Sequence, residues 1–108
     1  MIPSAGAPEL QEIVRRLVEA YRPDRVYLFG SVARGDADAG SDYDLLLIVP
    51  DDAGRERRRN ELARQVLRQC HTAADVLIVT RTYFDSRLHR RASFPTTVVN
   101  EGKLLYAA

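Results

Sequence analysis

The segment Tyr43–Val49 constrains the fold of this chain more than any other part of the sequence. It reads YDLLLIV, an almost unbroken apolar run that ends at Pro50. A short run of this kind, without alternating polar residues, is typical of a strand that is covered on both faces. The sequence therefore predicts an α/β domain in which this strand lies inside a sheet between layers of helices.

The rest of the chain alternates between helical and strand patterns. Apolar residues with helical spacing predict a helix at Pro8–Tyr21, and Pro23 follows its end. The composition, 45% hydrophobic and 29% charged over 108 residues, fits a single globular domain that spans residues 1–108. Further strands are predicted at Arg25–Phe29, Ala74–Thr80 and Lys103–Tyr106, and further helical segments at Ser31–Asp36, Arg55–Cys70, Thr82–Arg91 and Pro95–Glu101.

Charge and cysteine content narrow the classes of function. Sixteen basic and fifteen acidic residues give a net charge of +1. The chain therefore lacks the excess of positive charge that is typical of direct nucleic-acid binding. The single cysteine, Cys70, fits a reducing compartment. No apolar run approaches the roughly 18 residues of a membrane span, and residues 1–6 lack the pattern of a signal peptide. We therefore expect a cytoplasmic protein with no membrane segment.

Three aspartates stand at the heads of predicted strands. Asp42 and Asp44 are two residues apart and so project from the same face, and Asp75 begins the next strand. Carboxylates held this close are costly unless a cation lies between them, and Mg²⁺ prefers such oxygen ligands. We expect these three residues to be catalytic and to hold magnesium, as a pair of ions if all three converge. The alternative for Asp75 is a structural role at the start of its strand.

The pair Gly30-Ser31 supplies a candidate phosphate site. A strand that breaks at glycine and opens a helical turn leaves backbone N–H groups unpaired, and these can bind a phosphate together with the Ser31 hydroxyl. Arg34, about one turn further on, is a candidate charged donor to the nucleotide, or else forms a salt bridge within the loop.

The two halves of this site predict how the strands run. For Gly30-Ser31 to face Asp42 and Asp44, the end of the first strand must lie beside the start of the second, which makes them antiparallel. Asp75 also heads its strand, so the second and third strands must be parallel. The sequence therefore predicts a mixed sheet flanked by helices.

The segment GSVARGDADAGSDYDLLLIV places ten residues between Gly-Ser and Asp-x-Asp, directly before an apolar strand. It resembles the signature of the DNA polymerase β-like nucleotidyltransferase superfamily. Nearly the whole chain is similar to the minimal nucleotidyltransferase (MNT) family, the antitoxin half of HEPN/MNT toxin–antitoxin pairs. The resemblance implies ATP as substrate, Mg²⁺ at Asp42, Asp44 and Asp75, and transfer of AMP to a hydroxyl, such as a tyrosine, of a HEPN-family toxin.

Two other functions stay open from the sequence. One is a non-catalytic antitoxin, or nucleotide-binding protein, that neutralises a HEPN ribonuclease by binding alone. The other, ranked last because 108 residues leave little room for a second substrate domain, is a small-molecule (antibiotic) adenylyltransferase. The basic runs Arg55–Arg59 and Arg87–Arg91 are interpreted as solvated or partner-facing surfaces, and Tyr83, Phe84 and Phe94 are expected in the core.

Overall fold

The computed structural model of the chain describes residues 8–30, 33, 35, 42–70, 74–88 and 90–108. Within these residues, four strands form one sheet in the order β3-β2-β1-β4. The strands are β1 (Arg25–Phe29), β2 (Tyr43–Val49), β3 (Ala74–Thr80) and β4 (Lys103–Ala107). The helices are α1 (Pro8–Tyr21), α2 (Asn60–Val66), α3 (Arg81–Arg87) and α4 (Phe94–Glu101), with a 3₁₀ turn at Arg55–Arg58.

The strand directions confirm the mixed sheet. β2 pairs antiparallel with β1 and parallel with β3, and β4 pairs antiparallel with β1. The parallel pair needs a long crossover, which the 3₁₀ turn and α2 provide. The bounds of α1, β1, β2 and β3 are those predicted, and β4 is one residue longer. The predicted helical turns at Ser31–Asp36 lie largely outside the described residues.

One face of the sheet, here called the closed face, carries most of the buried core. Its inward side chains from all four strands pack against the apolar stripe of α1 and against α2 and the residues that follow it. Burial of this size is the main favourable term in the stability of a small domain. The strand residues of the closed face are Val26, Leu28, Leu45, Leu47, Val49, Val76 and Leu105.

The opposite face, here called the open face, is covered less completely. Tyr27, Leu46 and Ile48 pack there against Phe84 of α3 and Val98 of α4. The outer strands leave apolar side chains uncovered on either side of this small cluster, since Leu77 is 44% exposed and Leu104 is 40% exposed. The central strand β2 is nevertheless buried along Leu45–Val49, as its sequence predicted.

The helix predicted at Arg55–Cys70 is wrong as a single element, because the chain breaks at Arg59 into a 3₁₀ turn and α2. Arg59 is extended, with φ −120° and ψ 150°. The Tyr21 hydroxyl donates to the Arg59 carbonyl and accepts from the backbone N–H of Ala63 at 2.9 Å. The Tyr21 hydroxyl therefore lies between the two groups that would form a direct i→i−4 backbone hydrogen bond. This interruption separates the 3₁₀ turn from α2.

The helix predicted at Thr82–Arg91 is also too long, since α3 ends at Arg87. Hydroxyl groups at the N-terminus of α4 donate hydrogen bonds to backbone carbonyls that would accept from backbone N–H groups in a longer α3. Ser93 Oγ donates to the Arg87 carbonyl at 2.5 Å, and Thr96 Oγ1 donates to the Leu88 carbonyl at 3.0 Å. None of the helices in the described part of the chain combines the length and apolar composition needed to cross a bilayer.

Candidate active site

Two of the three predicted carboxylates lie side by side on the open face. Asp44 of β2 is in register with Asp75 of the parallel strand β3, and on its other side with Phe29 of β1. Neighbouring strands are about 4.8 Å apart, and residues in register project from the same face. Asp44 and Asp75 both line a pocket of about 740 Å³. The sheet therefore places two carboxylates next to each other at one side of a cavity that is large enough for a small ligand.

Gly30 is fixed by its contact with Asp44. Its φ is +77°, and a Cβ atom built there would lie 2.2 Å from Asp44 Oδ2 and 3.1 Å from Asp44 Cγ. Any side chain at this position would displace the carboxylate, so only glycine satisfies both the backbone conformation and the close approach. The end of β1 therefore meets the acidic pair with bare backbone, as the antiparallel arrangement of β1 and β2 required.

The structure describes Asp42 but not the other two predicted site residues, Ser31 and Arg34. Asp42 is exposed and lies directly before β2, so the strand alternation that would set it beside Asp44 starts only at Tyr43. Ser31 and Arg34 lie outside the described residues. Among the residues that are described, no group of three or more His, Cys, Asp or Glu could hold a metal ion. The magnesium site formed by three aspartates stays a prediction.

Tyr43, between the two aspartates, anchors the start of β2. It projects to the opposite face from Asp44, where it packs against the core of the closed face. Burial raises the pKa of its hydroxyl, and so do the charge of Glu9 and a hydrogen bond with Glu9 at the first turn of α1. In the sequence, nothing marks Tyr43 beyond its place as the first residue of a predicted strand. Its anchor fixes the backbone between Asp42 and Asp44.

The pocket has two walls. Phe29 and Leu77 lie on the sheet side, and Phe29 makes an edge-to-face contact with Phe94, with ring centroids 5.2 Å apart. The second wall comes from α2 and the chain that follows it. Asn60 fixes this wall, because its Nδ2 donates to the carbonyl of Val76 in β3 at 2.8 Å. The second-wall residues are Asn60, Ala63, Arg64, Leu67 and Cys70.

The aromatic residues and basic runs depart in part from expectation. Phe84 is buried as predicted, but Tyr83 and Phe94 are 40% and 39% exposed. In the first basic run, Arg57 donates to the carbonyls of Tyr21 and Arg22 at 2.8 and 3.2 Å, so its role is to cap the C-terminus of α1.

Comparison with known proteins identifies one family and several solved structures that the chain resembles. The family described as the nucleotidyltransferase domain matches residues 8–104. A crystal structure of a toxin–antitoxin with AMP-PNP is 25% identical, with a TM-score of 0.63, over 94% of this chain and 75% of that one. A mutant of the toxin–antitoxin MntA-HpeT, in which two aspartates are changed to glutamate, is 23% identical and similar in fold, with a TM-score of 0.57 and the same coverage. No curated protein matches the chain significantly.

Proposed function

This chain belongs to the nucleotidyltransferase domain family, and we propose that it transfers AMP from ATP to a hydroxyl group of a partner protein. The observation that carries the proposal is the close approach of Gly30 to Asp44, with Asp75 in register with Asp44 on the neighbouring strand. Two adjacent carboxylates line a pocket, and the bare backbone of Gly30 lies against one of them. This arrangement offers metal-binding oxygens close to the backbone at the end of β1, where a phosphate could be held.

The donor set fits magnesium. Two carboxylates on neighbouring strands repel each other when both are ionised, and a hard divalent cation between them removes that cost. Asp44 and Asp75 would hold the metal, with Asp42 as the third ligand. Bound magnesium neutralises charge on the phosphates of the nucleotide and stabilises the attacking and leaving oxygens.

The protein groups then position the reactants. The backbone at Gly30 and the Ser31 hydroxyl hold the β- and γ-phosphates, with Arg34 as a further donor. Asp75 accepts the proton of the acceptor hydroxyl while the oxygen of that hydroxyl bonds to the α-phosphorus. The bond from the α-phosphorus to pyrophosphate breaks in the same step. Chemistry of this kind depends on alignment and on charge neutralisation more than on any covalent step by the protein.

The acceptor in this proposal is a toxin of the HEPN family, which makes the chain an antitoxin. Two observations support it: the resemblance of the sequence to MNT antitoxins, and the likeness over 94% of the chain to a toxin–antitoxin crystallised with AMP-PNP. The second candidate is neutralisation by binding alone. The exposed apolar residues Leu77, Phe94 and Leu104 favour it, since they offer contact area to a partner.

The test is label transfer from α-labelled ATP, with Mg²⁺, to a HEPN-family toxin as the candidate acceptor. We expect Asp44→Asn and Asp75→Asn to lower the rate by on the order of 10²-fold or more. Asp52→Asn is the matched control, because Asp52 is exposed and does not line the pocket. Equal transfer by wild type and Asp44→Asn would remove the assignment. Toxin neutralisation in cells that survives Asp44→Asn would favour binding alone.

A further inference from the structure

Arg64 lines the candidate active pocket, although no motif in the sequence points to it. It belongs to α2 and shares the pocket with Asp44 and Asp75. Among the described residues that line this pocket, Arg64 is the one cationic side chain. Its guanidinium forms no hydrogen bond or ion pair with any residue of the described part of the chain. A guanidinium without such partners has its full set of donors available to a ligand in the pocket.

The backbone that carries Arg64 is held firmly against the sheet. Asn60, one turn earlier on the same helix, donates to the Val76 carbonyl of β3. Ala63, the residue before Arg64, is 4% exposed, and its N–H donates to the Tyr21 hydroxyl at 2.9 Å. Residues four apart on a helix lie on the same side, so Arg64 follows Asn60 along the wall that α2 presents to β3. The backbone position of Arg64 at the pocket is therefore set by the contacts of Ala63, directly before it, and of Asn60, one turn earlier.

The chemistry of the pocket identifies an anionic ligand for this residue. A nucleoside triphosphate brings several negative charges into a cavity that already holds two carboxylates. Arginine is suited to phosphate oxygens because its planar fork can donate two parallel hydrogen bonds and stays charged at every relevant pH. We propose that Arg64 binds a phosphate group of the donor nucleotide from the α2 side of the pocket. This inference rests on the proposed function.

Arg68 provides a matched control on the same segment. It lies four residues after Arg64, is also exposed, and its side chain makes no ion pair with a described residue. It lines a different groove, between α1 and the end of α2, together with Arg15 and Arg16. Removing either arginine changes the net charge by the same amount. Only the substitution of Arg64 removes a hydrogen-bond donor from the candidate active pocket.

The experiment compares nucleotide affinity in wild type, Arg64→Gln and Arg68→Gln. Dissociation constants are measured by calorimetry for ATP, AMP and adenosine, each with Mg²⁺ at 0.15 M salt, where screening limits charges more than about 8 Å away. Arg64→Gln should weaken ATP binding by about tenfold, the usual effect of one charge-assisted hydrogen bond, and leave adenosine binding unchanged. Arg68→Gln should leave both unchanged. Gln has nearly the helix propensity of Arg, and circular dichroism checks that both variants fold.

Three outcomes would overturn the inference. Equal ATP affinities for wild type and Arg64→Gln would exclude a phosphate contact, and a loss confined to label transfer would assign Arg64 to the acceptor instead. A similar loss in Arg68→Gln would show a general effect of charge. Failure of the proposed function looks different, because folded wild-type protein would then bind no ATP at all, and the assignment of Arg64 would fail with it.

Discussion

The two faces of the sheet differ in how completely their side chains are buried. On the closed face, α1 and the α2 region bury side chains from all four strands, and most of these are fully inaccessible to solvent. On the open face, five buried residues form a small cluster, with exposed apolar side chains at the strands that flank it. The acidic pair Asp44 and Asp75 lies on the open face. The acidic pair thus lies on the less completely covered face of the sheet, whereas most of the buried core lies on the other.

This division has a physical cause. A site for a charged ligand needs accessible carboxylates, and carboxylates cannot be enclosed in an apolar layer without a large cost. A chain of 108 residues buries only a moderate fraction of its surface, so the packing that it can achieve is concentrated where no ligand must enter. Substitutions that are alike in chemistry but on opposite faces should therefore differ in effect.

The largest difference is expected between two leucines on neighbouring strands. Leu47→Ala removes a side chain that is 0% exposed on the closed face, and it should lower the free energy of unfolding by about 2–5 kcal/mol. Leu77→Ala, at 44% exposure on the open face, should change it by about 0.5 kcal/mol or less. Urea denaturation of both variants measures the difference. Equal losses would show that the open face is as tightly packed as the closed one.

The next effect concerns Gly30, where the open face requires close contact. Gly30→Ala should cost about 1–3 kcal/mol of stability and abolish nucleotide binding, because the new Cβ meets the Asp44 carboxylate. Gly35→Ala is the control, since its φ of +81° is similar but no atom of the described residues lies within 4 Å of the added Cβ. Thermal denaturation and ATP titration separate the two. If both variants behave alike, the backbone conformation and not the contact with Asp44 is what requires glycine.

A similar loss of stability, but without a loss of nucleotide binding, is expected for the hydroxyl of Tyr21 on the closed face. Tyr21→Phe keeps the ring but leaves the Arg59 carbonyl and the Ala63 N–H without their shared partner, which should cost about 1–3 kcal/mol. Tyr83→Phe, at 40% exposure, should cost almost nothing. Hydrogen exchange at Ala63 provides a local measurement. Unchanged protection of that N–H in Tyr21→Phe would contradict the bridging role of the hydroxyl.

The smallest effect is electrostatic and lies on the outer surface of α1. Hydrogen bonds from Arg15 and Arg16 lower the pKa of Glu12 from 4.5 to about 2. A lowered pKa means that the stabilisation is complete above about pH 4.5 and is lost as the pH falls towards 2. Glu12→Gln should therefore be slightly less stable than wild type at neutral pH and equal to it near pH 2. Because these groups are exposed, added salt should shrink the difference as well.

Much of this architecture could be predicted from local sequence patterns. The bounds of α1, β1, β2 and β3 follow from apolar periodicity and from glycine and proline at the ends. The strand directions were predicted from chemistry, since Gly30 and the acidic residues could meet in only one arrangement, and the pairing confirms it. Such features depend on residues close together in the chain or on one strong constraint.

Other features depend on contacts between distant residues and could not be read from the sequence. The break at Arg59 is caused by Tyr21, 38 positions earlier. The place of Arg64 in the pocket depends on how Asn60 docks α2 on β3, whereas in the sequence Arg64 is one arginine among many. From the sequence, the break at Gly30 was expected to offer backbone N–H groups to a phosphate. The closest neighbour of Gly30 proves to be the Asp44 carboxylate, because the register of β1 and β2 decides that contact.

The place of β4 at the outer side of β1 has a consequence for the order of folding. The pairing joins Arg25 with Ala107, so it closes a loop of nearly the whole described chain, whereas β1 and β2 pair over a short separation. Contacts that close long loops form late because they cost more chain entropy. On the ribosome, β1, β2 and β3 emerge first, and the row of Phe29, Asp44 and Asp75 can assemble while the outer edge of β1 is still unpaired. A nascent chain would then hold its acidic pair before its sheet is complete, with an exposed strand edge that favours misassembly until β4 arrives.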